Sequence, residues 1–248
     1  MQHPPTLAAQ RPSEEHPLPS ITRARYLRVE FGMELSPPDI PLFRGAMGER
    51  MGHAEHLFHN HDADGAEIYR YPLIQYKSIR GKAAIVALNE GADAMQRYFS
   101  QPERRLTVDG KTHEMTVDDL RMNQVVLRTW NQQFHYRIQN WLALQDEPYK
   151  EYLATNSLAR RATILEKRLT NTILTMARGL DWWVAEPIEV SIAQYWEGRS
   201  IRHKDVRFLA FNAEFSTNVF LPDYIGLGKG VAFGFGVVKS IQAQDHGK

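Results

Sequence analysis

The segment Gly226-Leu227-Gly228-Lys229-Gly230-Val231-Ala232-Phe233-Gly234-Phe235-Gly236 carries two Gly-apolar-Gly units separated by five residues that include a lysine. Glycine permits positive φ angles and close approach of another backbone. Closely spaced glycines leave peptide N–H groups that can face an anion, and Lys229 adds a full positive charge. A flexible hairpin is the alternative. The regular spacing and the apolar residue inside each unit favour a defined loop over a flexible hairpin.

Two familiar phosphate-binding loops are excluded by the residues present. A dinucleotide-binding loop requires a small residue three positions after Gly228, where Val231 stands, and it requires a helix and further strands downstream. A Walker loop requires a glycine upstream of a Gly-Lys-Ser/Thr sequence. The nearest match is Gly110-Lys111-Thr112, but Arg105 occupies the position of that first glycine.

Composition limits the class of protein and its surroundings. The chain has 248 residues, no cysteine and a formal net charge of +1, so disulfides and cysteine-based zinc sites are excluded and any RNA-binding surface must be local. No apolar run approaches the roughly 18 residues of a membrane span, and the N-terminus lacks an apolar signal core. We therefore expect a cytoplasmic protein with no membrane partner.

Apolar patterns predict an α+β protein with a disordered tail at residues 1–20 and two domains, at residues 21–120 and 121–248. In the first domain we expect strands at residues 23–31, 67–77, 83–88 and 104–117, the second of them at a sheet edge because of Pro72. Asp39 and Asn89 can cap the two helices that lie between these strands. The resulting order, β-α-β-β-α-β, is that of a ferredoxin-like domain.

The second domain repeats this order less clearly. A strand is expected at residues 125–130, helical pieces near residues 135–143 and 149–153, and a long helix from Ser157 to Gly179. Further strands are expected at residues 188–196, 208–219 and 231–239. Two ferredoxin-like units in tandem fit the length of the chain.

Four histidines, His53, His56, His59 and His61, fall within nine residues and precede several acidic residues. A solvated polar loop, a metal site and a general acid–base pair are all compatible with this pattern. Imidazole suits acid–base chemistry because its unperturbed pKa of about 6.5 makes both protonation states accessible at neutral pH.

Two further groups of side chains are candidates for contact with an anion. Alternation along the predicted strand at residues 67–77 places four polar side chains on one face, either as a plain edge surface or as groups that hold a phosphate: Tyr69, Tyr71, Gln75 and Lys77. A second, cationic group lies within nine residues and includes Arg199, Arg202, His203, Lys204 and Arg207. Trp182, Trp183 and Trp196 adjoin apolar runs and are expected in the core or at an interface.

The glycine segment resembles the signature of the CRISPR repeat-RNA processing endoribonucleases, which belong to the repeat-associated mysterious protein (RAMP) superfamily. That signature is Gly-apolar-Gly, five residues with a lysine or arginine, and Gly-apolar-Gly near the C-terminus. Three further blocks are similar to one branch of the family: Phe43-Arg44-Gly45, Leu57-Phe58-His59-Asn60-His61 and Tyr69-Arg70-Tyr71-Pro72-Leu73-Ile74-Gln75-Tyr76-Lys77. The resemblance extends from about Thr22 to Val238.

The resemblance implies two ferredoxin-like (RRM-like) domains and an endoribonuclease that needs neither metal nor cofactor. It aligns His59 and His61 with the catalytic histidines, and we expect His61 to act as the base. The other expected catalytic residues, Tyr69, Tyr71 and Lys77, would hold the scissile phosphate. RNA would be bound by the glycine segment and the cationic group, namely Gly226, Gly228, Lys229, Gly230, Gly234, Gly236, Arg199, Arg202, Lys204 and Arg207.

CRISPR repeat RNA is the expected partner. Assembly with other CRISPR proteins in an effector complex and formation of a homodimer are both left open by the sequence. Cleavage by the RNA's own 2′-hydroxyl would leave a 2′,3′-cyclic phosphate and a 5′-hydroxyl. Two alternatives remain open: a repeat-RNA-binding subunit without activity, and a metal-dependent hydrolase built on the histidines.

Overall fold

A computed structural model describes residues 21–52, 55–59, 70–203 and 206–241. The N-terminal unit contains β1 (Thr22–Glu34), α1 (Ile40–Met51), α2 (His56–His59), β2 (Ile74–Ile79), β3 (Lys82–Leu88), α3 (Glu90–Phe99), β4 (Arg105–Val108), β5 (Lys111–Glu114) and β6 (Val117–Leu127). The C-terminal unit contains β7 (Thr129–Trp141), α4 (Asp146–Ala154), α5 (Leu158–Gly179), β8 (Val190–His203), β9 (Val206–Val219) and β10 (Val237–Ser240).

Each unit contains a four-stranded antiparallel sheet, with the orders β2-β3-β1-β6 and β10-β7-β9-β8. When the four strands of each sheet are numbered in chain order, the first strand lies between the third and the fourth in both sheets. This is the ferredoxin-like arrangement. The prediction of tandem ferredoxin-like domains is therefore confirmed. In the second unit, the glycine segment occupies the place of a helix between the third and fourth strands.

Both faces of the N-terminal sheet are covered. On one face, Val29 and Ile85 pack with Phe43 of α1 and Met95 of α3. On the other face, strand residues such as Val86 belong to a second core that includes α5 and the C-terminal sheet. Burying apolar side chains on both faces stabilises the sheet and fixes the two units against each other.

The region predicted as a strand at residues 104–117 forms a separate hairpin of β4 and β5 instead. Asp109 and Gly110 turn this hairpin with φ angles of 48° and 72°, which is the behaviour expected of an Asp-Gly pair. The fourth strand of the first sheet is β6, so the domain boundary expected after residue 120 falls inside a strand. The chain passes from one sheet to the other at Arg128.

In the second unit, the helix expected near residues 135–143 is wrong, because this stretch lies mainly in β7, where buried Tyr136 and Ile138 alternate with exposed Arg137 and Gln139. The long helix is confirmed as α5, and the Ser157 hydroxyl accepts a hydrogen bond from the Arg160 N–H at 3.3 Å. The final strand is shorter than expected, because residues 231–233 form a 3-10 turn. No helix within the described ranges is long and apolar enough to span a membrane.

Candidate functional site

The glycine segment is a folded loop in which the two Gly-apolar-Gly units lie together. The N–H of Leu227 donates to the carbonyl of Gly236 at 2.9 Å, and the N–H of Gly236 donates to the carbonyl of Asn140 at 3.1 Å. Phe233, Gly234 and Phe235 also donate their N–H groups within the segment. Much of the hydrogen-bonding capacity expected to face an anion is thus used to build the loop.

Close packing explains why the segment requires glycine. A Cβ atom on Gly236, whose φ is +62°, would lie 1.9 Å from the carbonyl oxygen of Leu227. A Cβ on Gly228, at φ +95°, would lie 2.8 Å from Nε1 of Trp141, and one on Gly234 would lie 2.5 Å from Cδ1 of Ile40 in α1. The last of these contacts places the glycine segment directly against the N-terminal domain.

Three buried polar side chains of the N-terminal domain hold this segment. Gln75 accepts the N–H of Gly226 at 2.9 Å through Oε1 and donates to the Tyr71 hydroxyl at 2.9 Å through Nε2. The Tyr71 hydroxyl in turn donates to the Gly226 carbonyl at 2.8 Å, and Lys77 Nζ donates to the carbonyl of Val231 at 3.2 Å. We call Tyr71, Gln75 and Lys77 the loop clamp.

The loop clamp corrects the expectation that Tyr71 and Lys77 face a phosphate. Tyr71, Gln75 and Lys77 are 5%, 0% and 1% exposed, and their polar groups already bind the glycine segment. Burial lowers the pKa of Lys77 to about 7 and raises the pKa of Tyr71. β2 is an edge strand as predicted, but the C-terminal domain covers this face, and these side chains bind the glycine segment.

The histidine-bearing helix α2 is tied to the same strand from its other face. Tyr76 donates its hydroxyl to the carbonyl of Phe58 at 3.3 Å, and the Phe58 ring is buried. Just before α2, Arg97 of α3 forms a bidentate pair with Glu55 at 2.5 and 2.7 Å, and this pairing lowers the Glu55 pKa. Helix α2 is therefore held at Glu55, just before its first residue, and at Phe58, just before His59.

The described part of the chain covers only some of the expected catalytic residues. His59 is the last residue of α2, and only its backbone is among the described atoms. His53, His61 and Tyr69 lie outside the described residues. Among the described residues, no group of three or more histidine and acidic side chains has the arrangement of a metal site.

Strand β2 therefore connects both candidate elements through alternate side chains. Gln75 and Lys77 point to the glycine segment, whereas Tyr76 between them points to the helix that carries His59. The sequence indicated each element separately. It did not reveal Gln75 as the residue that fixes the loop, because its bond to Gly226 spans 151 positions.

The expected cationic surface lies on the β8–β9 hairpin, beside the glycine segment. Lys229 is exposed, and its Nζ lies 4.8 Å from the centroid of the Phe208 ring in β9. Arg199 and Arg202 belong to β8 and Arg207 to β9 by their backbone, while their side chains and Lys204 lie outside the described residues. The contact between Lys229 and Phe208 thus connects the glycine segment to β9 of this hairpin.

Comparison with known proteins places both halves of the chain. The model of the Cas6b N-terminal domain matches residues 22–126, and that of the Cas6b C-terminal domain matches residues 128–241. An uncharacterized protein of Methanocaldococcus jannaschii is 33% identical over 105 residues, which cover 42% of this chain and 70% of that protein.

Two solved Cas6b structures have the same fold. One aligns with a TM-score of 0.77 at 23% identity, and the other, described as a CRISPR RNA processing endoribonuclease, aligns with a TM-score of 0.66 at 21% identity. Each alignment covers 89% of this chain and 100% of the solved chain. Because both domain models match in order and together account for nearly all of the described sequence, this chain belongs to the Cas6b family.

Proposed function

We propose that this protein is an endoribonuclease that cuts CRISPR precursor RNA within its repeats and requires no metal ion. One of the solved Cas6b structures is described as a CRISPR RNA processing endoribonuclease. The observation that carries the proposal is the double role of β2, whose Gln75 and Lys77 bind the glycine segment while Tyr76 binds the histidine-bearing helix. One strand thereby connects the proposed RNA-binding loop to the helix that carries His59.

The proposed reaction is an internal transesterification. The 2′-hydroxyl oxygen attacks the adjacent phosphorus, the bond to the 5′-oxygen breaks, and the products carry a 2′,3′-cyclic phosphate and a 5′-hydroxyl. We assign His61 as the base that accepts the 2′-hydroxyl proton and His59 as the acid that protonates the leaving oxygen. An imidazole pKa of about 6.5 allows either role near neutral pH.

Substrate binding is assigned to the surface formed by the glycine segment and the β8–β9 hairpin. Lys229 and the arginines of the hairpin would contact phosphates, while the loop clamp keeps the segment in place. Proteins that recognise RNA use backbone contacts together with unpaired bases that are splayed out of the strand. CRISPR repeat RNA is the proposed partner, and the proposed location is the cytoplasm. The protein would bind this RNA as a single chain, as a homodimer or as part of an effector complex.

The test is cleavage of end-labelled repeat RNA in excess chelator, with both product ends mapped. We expect full activity without metal, a cyclic phosphate at one end, and no cleavage when the nucleotide 5′ of the cut carries a 2′-deoxy sugar. Activity that is lost on chelation and restored by zinc or manganese would instead identify a metal-dependent hydrolase. Tight binding of repeat RNA with no cleavage under any condition would identify a non-catalytic subunit.

A further inference from the structure

Trp196 lies on the surface of β8 with 44% of its area exposed, whereas Trp182 is 3% exposed and lies in the core as expected. Trp196 pairs with Asn212 of β9. In β9, Phe211 and Ala213 belong to the core that contains α5. Because side chains alternate along a strand, Asn212 and its partner Trp196 face away from α5, on the open face of the C-terminal sheet.

Charged and polar side chains near Trp196 on this open face are hydrogen-bonded to one another. Glu214 is the acidic residue two positions along β9, and Arg137 and Gln194 bind its two carboxylate oxygens at 2.9 and 2.7 Å. These hydrogen bonds lower the Glu214 pKa, and the ion pair with Arg137 neutralises the carboxylate charge. Lys239, which pairs with Arg137 across β10 and β7, adds a further cation to the same face.

The open face is continuous with the glycine segment. Asn212 accepts the N–H of Asn140 at 2.9 Å through its side chain, and the carbonyl of Asn140 accepts the N–H of Gly236 at 3.1 Å. Lys229 lies above the ring of Phe208, which is four residues before Asn212 on the same strand and on the same face. Four residues along a β-strand span about 13 Å. A single-stranded RNA that runs along β9 from Lys229 would therefore reach Trp196.

We propose that Trp196 is a stacking platform for an unpaired base of the RNA whose backbone lies on the glycine segment. This inference rests on the proposed function and adds a specific contact to it. An exposed indole offers a flat surface to any base, and stacking of this kind contributes to affinity without a strong sequence preference. The amines of Lys229 and Lys239 suit the phosphates of the same RNA strand.

The test is binding of labelled repeat RNA that carries a 2′-deoxy sugar at the cut site, measured with Trp196→Ala, Trp196→Leu and Trp196→Phe variants. We expect Ala and Leu to weaken binding about 5-fold to 150-fold, the range that corresponds to one stacked base, and Phe to keep most of the affinity. Leu retains apolar cover without a π-face, which separates stacking from folding. The matched control is Trp183→Ala, because Trp183 is 78% exposed and lies between α5 and β8, outside the strands of the C-terminal sheet.

Tryptophan fluorescence provides a second measurement. RNA should quench the emission of the wild-type protein, and the Trp196→Phe variant should lose that quenching while it still binds. Wild-type affinity in both the Ala and Leu variants, with normal binding and cleavage by the wild type, would overturn the stacking role alone. Failure of the wild type to bind repeat RNA would overturn both proposals, whereas binding without cleavage would overturn only the nuclease and leave the Trp196 comparison decisive.

Discussion

The amine of Lys77 donates a hydrogen bond to the carbonyl of Val231 at 3.2 Å, and the two residues belong to different domains. Lys77 is 1% exposed, and burial lowers its pKa to about 7 from the usual 10.5. Val231 begins the 3-10 turn of the glycine segment. A titratable group therefore sits at the joint between β2 and the candidate RNA-binding loop.

Lys77→Met should change how stability depends on pH. Below pH 7 the amine is charged in both the folded and the unfolded chain, so the folded protein carries the full cost of burying the charge. Between pH 7 and 10.5 the unfolded chain binds more protons, so wild-type stability rises with pH relative to the variant. We expect that relative gain to reach a few kcal/mol, since each pKa unit corresponds to about 1.4 kcal/mol.

Urea denaturation of both proteins between pH 6 and 10 measures this difference. The lost hydrogen bond to Val231 adds a constant offset, so the informative quantity is the change with pH. Parallel stability curves for the two proteins would contradict a lowered pKa for Lys77.

Gly236→Ala should destabilise the fold by at least about 2 kcal/mol, beyond the usual range for surface substitutions. The new Cβ would lie 1.9 Å from the Leu227 carbonyl oxygen, at a φ of +62° that alanine rarely adopts. Gly45→Ala is the matched control, because Gly45 lies in α1 with nothing within 4 Å of the added Cβ. Chemical denaturation should show that the control gains about 0.5–1 kcal/mol. Equal stability of the two variants would mean that the loop is not tightly packed.

Helices and strands with strong local sequence patterns were predictable. Boundaries that no glycine or proline marks were not. The helix α5 has a regular apolar stripe and an N-cap serine, and its limits were predicted closely. In contrast, β6 and β7 follow each other across Arg128, and residues 111–147 contain no glycine or proline to separate them. The change of sheet at this point depends on long-range pairing of β6 with β1, which is not visible in local sequence.

The candidate site was predictable in the same partial way. Spacing indicated the glycine segment because each glycine answers a local backbone or packing requirement. The sequence did not reveal that the C-terminal domain covers Tyr71 and Lys77, because alternation shows which residues share a face but not what covers that face. Trp196 was expected in the core or at an interface from its apolar neighbours, and only the sheet topology reveals that it lies on the open side of β8.

His61→Ala should lower the single-turnover cleavage rate about 100-fold or more, the usual size of a general acid–base contribution, with little change in RNA affinity. His59→Ala should also be slow. His56→Ala is the control, since this exposed residue starts α2 and lies outside the aligned pair. A wild-type rate for His61→Ala at saturating enzyme would remove this histidine from the mechanism.

Lys229→Ala should weaken the binding of different RNAs by similar factors, because a phosphate contact carries no sequence information. Losing one phosphate contact should also reduce the magnitude of the slope of log K against log salt by about 0.7 for a single strand. The measurement is a salt titration with cleavage-blocked repeat RNA. Lys111→Ala is the matched control, because Lys111 is an exposed lysine on the separate β4–β5 hairpin. If Lys229→Ala and Lys111→Ala keep the wild-type slope alike, then Lys229 faces solvent in the complex and the glycine segment acts through its backbone alone.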